Sequence, residues 1–258
     1  MALMRFAALH LSAAVFGIGI LFLISVTSWL WQPDWLIHRY DALFVFVLTI
    51  QILLVLTGLE TWREARVIFV FHIVGVAMEI FKTSVGAWVY PEEAFFRIGG
   101  VPLFTGFMYS AVGSYIARFW RLSKMHIEGA PPRLVEAILA VLIYVNFMSH
   151  HFLFDIRMVL FAAIFILYFR CVAVFNHKRF SRVSILLFFM FAALAVYAAE
   201  NIGSLSGTWL YPNQLGSEWQ PVPVGKLGSW FLLMLVSFAL VRSVQGTERS
   251  VQRTETRP

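Results

Sequence analysis

The stretch Glu79-Ile80-Phe81-Lys82-Thr83-Ser84-Val85-Gly86-Ala87-Trp88-Val89-Tyr90-Pro91 decides the fold, because it returns as Glu200-Asn201-Ile202-Gly203-Ser204-Leu205-Ser206-Gly207-Thr208-Trp209-Leu210-Tyr211-Pro212. Val101-Pro102 follows the first copy and Val222-Pro223 the second, and each matched residue lies 121 positions after its partner without a gap. Seven of the 24 positions from Glu79 to Pro102 are identical, mostly at Glu, Trp, Tyr and Pro, types that rarely align by chance in an apolar chain. The offset predicts an internal duplication.

Around this repeat the composition sets the class. The 258 residues are 60% hydrophobic and 13% charged, with a mean hydropathy of +0.78. That is too little polar surface to cover a soluble globule, so a multi-pass membrane protein is expected. The lone Cys171 excludes an intramolecular disulfide and a cysteine-based metal cluster within one chain. Arg5 precedes an apolar run from about Ala8 to Trp31 that lacks an A-x-A cleavage site, and the run reads as a retained first helix.

Further apolar runs at about 40–58, 66–86, 101–121, 133–151, 157–176, 183–204 and 226–243 bring the expected spans to eight. With the N-terminus inside, fifteen Lys and Arg fall on the inner side, including Arg118, Arg121, Lys124, Arg133, Arg170, Lys178, Arg179 and Arg182. Five fall outside: Arg39, Lys82, Arg97, Arg157 and Lys226. The asymmetry predicts the inner (plasma) membrane with both termini cytoplasmic. The net charge of +6 is then explained by anionic inner-leaflet lipid and requires no nucleic acid.

The expected fold class is all-α, a polytopic helix bundle of about eight transmembrane helices in two parallel four-helix repeats. The repeats cover 1–122 and 133–243, joined by a cytoplasmic linker at 123–132 and followed by a disordered tail at 244–258. Ser28 with Ser149 and Asp34 with Asp155 extend the match. Four spans is an even number, so the halves enter the membrane in one direction and a pseudo-twofold axis runs along its normal.

Threading places Glu79 and Glu200 in the outer halves of the third and seventh helices, with Trp88, Tyr90, Trp209 and Tyr211 just beyond. Ionisable side chains are costly against lipid, so both carboxylates are expected to face the bundle. If the repeat axis passes between the third and seventh helices the two acids approach one another, and since like charges in a medium of low dielectric cannot both ionise easily, one of them is expected to hold its proton more tightly. His150, His151, Asp155 and Arg157 arrive at the same side from the fifth and sixth helices. His72 lies two turns below Glu79 on its helix, Lys82 three residues above it, and Asn201 beside Glu200. Each has a plainer reading: belt aromatics, a Glu79–Lys82 structural pair, a core histidine at His72, and solvated interfacial histidines. The chain holds no H-x-x-x-H or H-E-x-x-H motif, phosphate loop or nucleophile elbow, and selects neither a metal nor a cofactor.

The residues support acid–base chemistry on a membrane lipid or isoprenoid. Glu79, Glu200, His150, His151 and Asp155 would handle protons, while His72, Lys82, Trp88, Tyr90, Arg157, Asn201, Trp209 and Tyr211 surround the substrate. A proton-coupled transporter and a non-catalytic lipid-binding protein are the alternatives. Oligomeric state is left open.

Phe71-His72-Ile73-Val74-Gly75, Met78-Glu79 through Pro91-Glu92, Gly100-Val101-Pro102 through Gly106-Phe107-Met108-Tyr109, Gly113-Ser114-Tyr115 and His150-His151 through Asp155-Ile156-Arg157 carry a resemblance over nearly the whole chain to the bacterial YoaT-like family of multi-pass membrane proteins. That likeness implies membrane location and no particular activity. The order Glu, Gly, aromatic-x-Tyr, Gly-Val-Pro also resembles part of the carotenoid hydratase and membrane lycopene cyclase group. Pro91-Glu92-Glu93 stands near that group's Pro-x-Glu-Glu element with one residue fewer, and the second copy has Asn213-Gln214 there. This partial likeness implies an isoprenoid substrate.

Overall fold

The computed structural model describes residues 2–175, 182–216 and 218–255, apart from the side chains of 2, 3, 5 and 245–255. The chain is mostly helical. Among the described residues four helices are long and apolar enough to cross a membrane: α3 (Arg39–Leu56), α4 (Trp62–Ser84), α8 (Ile185–Leu205) and the Gly225–Val244 part of α9 (Gly225–Glu255). A fifth span arises if α1 (Ala2–Ala13) and α2 (Val15–Leu30) count together, but they meet at a 63° bend instead of forming the single helix expected from 8 to 31. The others are α5 (Phe104–Ser123), α6 (Arg133–Ser149) and α7 (Arg157–Tyr168).

The span expected at 157–176 is corrected: its helix stops at Tyr168, and Val172–Val174 forms a strand. That strand, β4, lies between β3 (His126–Glu128) and β5 (Arg182–Ser184) in an antiparallel sheet, so the chain is not purely α. A hydropathy window cannot separate an apolar helix from an apolar strand, and the β-branched Val172 and Val174 suit the strand. Lys178, Arg179 and most of the side chains of 244–258 lie outside the described residues.

Local chemistry explains the helix ends that shape the site. Thr61 and Glu64 form a capping box that starts α4. At its other end Gly86 N–H donates to Thr83 O at 3.0 Å and Ala87 N–H to Lys82 O at 2.9 Å. Gly207 and Thr208 repeat this at the end of α8, bonding Ser204 O at 3.1 Å and Gly203 O at 3.0 Å. These are Schellman caps, and they need the left-handed backbone that Gly86 and Gly207 adopt at φ 72° and 67°.

The N-terminus of α3 then holds both loops that follow. Arg39 pairs with Glu92, its Nε 2.9 Å from each carboxylate oxygen, and Asp41 accepts the Phe95 and Phe96 backbone N–H groups at 2.8 Å. Tyr40 donates its hydroxyl to Thr208 O at 2.7 Å. Beyond the first loop, β1 (Arg97–Ile98) and β2 (Val101–Pro102) make a hairpin through Gly99-Gly100, both at positive φ, as its two-residue turn requires.

Gly203 is where a side chain is least tolerated, because a Cβ there would lie 1.8 Å from the Trp209 ring. Gly203→Ala is expected to destabilise the fold by about 1–3 kcal/mol, read as a lower thermal midpoint in detergent. Gly225→Ala, with nothing within 4 Å, serves as the neutral control. Equal midpoints for the two variants would contradict the packing of Trp209 on the helix backbone.

Candidate active site

Glu79 is buried within the last turns of α4, at 2% exposure, and a buried carboxylate needs donors. The chain supplies them by turning back on itself. The Schellman cap directs the next residues across the helix end, so that Trp88 Nε1 donates to Glu79 Oε2 at 2.7 Å and the Tyr90 hydroxyl to the same oxygen at 2.8 Å. Tyr109 on α5 donates to Oε1 at 2.6 Å. Both oxygens are thus engaged by three donors, the pattern of a fixed carboxylate.

Glu200 repeats part of this set. The Tyr211 hydroxyl donates to it and the Trp209 indole lies beside it. Tyr109 has no acidic-shell counterpart here, because the residue 121 positions later is Trp230. Burial, with the neighbouring carboxylates next, raises the Tyr90 and Tyr211 phenols well above their ordinary range and keeps both as donors.

Between the two motifs, Val89 and Leu210 exchange backbone hydrogen bonds at 2.9 and 3.0 Å. The Trp88 and Tyr211 rings meet edge to face, 6.1 Å apart. The ammonium of Lys226, at the start of α9, sits 4.7 Å from the Trp88 ring centre and 4.3 Å from that of Tyr211. A cation in this position is attracted by both ring faces.

Both glutamates, with Trp88, Tyr90, Trp209 and Tyr211, line one end of a cavity of about 780 Å³. Its walls are apolar side chains of α1, α2, α5 and α8, where Ala192, Ala195 and Ala199 leave room. From Phe188 to Glu200 the lining follows α8 for about 18 Å at 1.5 Å per residue. Leu11, Ile18 and Phe191 line the cavity and are also exposed on the bundle surface, so its side wall is continuous with the outside of the bundle. The far end holds His10, whose Nδ1 lies 2.8 Å from the Tyr115 hydroxyl.

The remaining residues singled out in the sequence fall elsewhere. Lys82 does not pair with Glu79: its ammonium donates to Phe147 O at 2.5 Å and lies 3.0 Å from His151 Nε2, stabilising the C-terminus of α6. His150 Nδ1 faces the Asn146 and Phe147 carbonyls at 3.2 and 3.0 Å. Asn146, Asp155 and Arg157 form a small network that joins α6 to α7. Burial pushes the Asp155 carboxyl up, but hydrogen bonds from Asn146 and the Arg157 backbone outweigh it and hold it below its usual range. His72 packs on Phe107 and Gly106, away from the cavity. Asn201 clamps Val222 by accepting its N–H at 3.0 Å. Among the described residues no three His, Cys, Asp or Glu side chains come together to hold a metal.

Tyr109, Trp230 and Lys226 were not singled out as site residues by sequence reasoning. Tyr109 and Trp230 are themselves 121 positions apart and their rings lie 6.2 Å apart, so carrying the repeat past Pro102 finds both. Lys226 has no such signal, since position 105 is Thr.

Fold and site together define a helical membrane protein with two acidic groups at one end of an apolar cavity. The chain belongs to the family described as "Protein of unknown function (DUF817)", which matches residues 2–238. It is 40% identical over 220 residues to the "Uncharacterized protein YoaT" of Bacillus subtilis strain 168, covering 84% of this chain and 83% of that one. No solved structure matches.

The Lys82–His151 contact generates a pH dependence. An ammonium only donates, so His151 must accept at Nε2 and stay neutral. Burial, then the charge of Lys82, lowers the His151 pKa from 6.5, and His150 is lowered in the same way. The unfolded chain therefore binds more protons below about pH 6.5, and stability is lost as pH falls. The thermal midpoint in detergent is expected to drop between pH 7.5 and 5, with a shallower slope in His151→Gln; an unchanged slope in that variant removes His151 as a cause.

Proposed function

We propose that the protein is an enzyme acting on an isoprenoid or other lipid dissolved in the membrane, with Glu200 as the proton donor and Glu79 as a fixed negative charge. The observation that carries this reading is the unequal treatment of two acids in one lipid-sized cavity: Glu79 is held by three donors and Glu200 by two, Tyr211 and Trp209. A hydrocarbon chain enters through the side wall at Leu11, Ile18 and Phe191 and lies along the cavity. Glu200 gives its proton to a double bond or carbonyl oxygen of the chain. The positive charge so created faces Glu79 and the rings of Trp88, Trp209, Tyr90 and Tyr211, each worth about 0.5–2 kcal/mol. The Glu200 carboxylate then takes a proton from a neighbouring carbon, which restores the acid without a nucleotide or electron carrier. Lys226 supports this use of the rings, because its ammonium already rests on two of them.

The same reading takes the chain as two equivalent halves making eight spans, about a pseudo-twofold axis along the membrane normal, in the plasma membrane with both termini cytoplasmic. Three pairs of positions 121 apart support it: the mutually bonded Val89 and Leu210, the touching Tyr109 and Trp230, and the matching caps at Gly86 and Gly207. A mutually hydrogen-bonded antiparallel pair has a local twofold between its strands. The carboxylates then lie toward the outer face, where His150 and His151 exchange protons with water.

Deleting the gene is expected to change the lipid profile of the membrane, and the wild-type protein to restore it. Glu200→Gln and Glu79→Gln are expected to be made at normal levels and to leave the profile uncorrected, while Glu93→Gln, at an exposed loop position, corrects it. Correction by Glu200→Gln would remove the proton-donor role.

A further inference from the structure

We infer that the ligand of this cavity carries a neutral oxygen acceptor, a hydroxyl or a carbonyl, and that the indole N–H of Trp230 receives it beside Glu200. The inference rests on the lipid-binding reading above and adds the ligand's polar group to it. Trp230 lines the cavity, yet its Nε1 is buried without a hydrogen-bond partner. Buried donors are rarely left unpaired, because each has given up water for nothing.

The neighbouring groups are already committed. The Tyr109 ring lies 6.2 Å from that of Trp230, but its hydroxyl is spent on Glu79. The Trp88 indole and Tyr90 hydroxyl are spent on Glu79 as well, and the Tyr211 hydroxyl and Trp209 indole on Glu200. Of the indole N–H groups at this end of the cavity, that of Trp230 is the one left for a guest. An indole N–H only donates, so its partner must bring a lone pair, which a pure hydrocarbon lacks. The partner is also not an anion. The Lys226 ammonium at that end already stands against Glu79 and Glu200, so an anionic head would bring a further, unanswered negative charge into a medium of low dielectric. A long prenyl or acyl chain ending in an alcohol, aldehyde or ketone meets both conditions.

The test compares geranylgeraniol with the hydrocarbon that lacks its hydroxyl, by competition binding to the purified full chain in lipid nanodiscs. The wild-type protein is expected to favour the alcohol by about 3- to 10-fold, the scale of one neutral hydrogen bond. Trp230→Phe keeps the ring and removes the donor; it is expected to bring that ratio to about unity while leaving affinity for the hydrocarbon unchanged. Equal wild-type affinities, or a preference that survives in Trp230→Phe, would overturn the assignment of Trp230 and leave the cavity as a lipid site. Failure of both compounds to bind the wild-type protein would overturn the two readings together. The wild-type comparison decides the matter by itself if Trp230→Phe does not fold.

Discussion

A carboxylate cannot be left bare inside an apolar bundle, and the arrangement around Glu79 follows from that constraint. Three donors are needed, and they come from three places: Trp88 and Tyr90 on the returning loop and Tyr109 on α5. To bring the loop back, α4 must end sharply, which the glycine at 86 permits. To keep it there, α3 offers Arg39 and Asp41 to the loop, while Tyr40 reaches across to Thr208 in the second copy. Acid, cap, loop and clamp are therefore one unit, and removing any part leaves a buried polar group without its partner.

The two copies have the same frame and different contents. Where the first has Tyr109 the second has Trp230, and where the first has Thr105 the second has Lys226. The first exchange withholds a donor from the second acid, and the second sets a cation on the aromatic pair between the copies. The same turn sets both acids at the cavity, and these two exchanges leave them in different surroundings.

Much of this was legible in the sequence because it is carried by spacing. The interval from glutamate to tryptophan and tyrosine is the length of chain needed to turn back over a helix end, so the motif announces its own hydrogen bonds. Hydropathy located most helix ends to within a few residues, since apolar length is what it measures. It failed at 157–176 and at the 63° bend after Ala13, where apolar chain leaves the straight helix without becoming polar. His72 and Lys82 were grouped with Glu79 because they share its helix. Their partners lie on α5 and α6, and no period along one helix encodes which neighbour each face meets. Lys226 was invisible for a similar reason: a lone cation at a helix start gives no hint that it will rest on two rings from distant loops.

One feature of the fold bears on the bilayer itself. Helix α7 has 12 residues and rises about 18 Å, against a hydrocarbon layer of about 30 Å. The strand that follows belongs to a sheet whose outer strands carry the exposed Arg182–Glu128 ion pair, so it does not lengthen that apolar wall. The apolar wall of α7 is thus shorter than that of α4, with its 23 residues. Beside a bilayer, a wall of that length is matched by local thinning, at a fraction of a kcal/mol for each ångström.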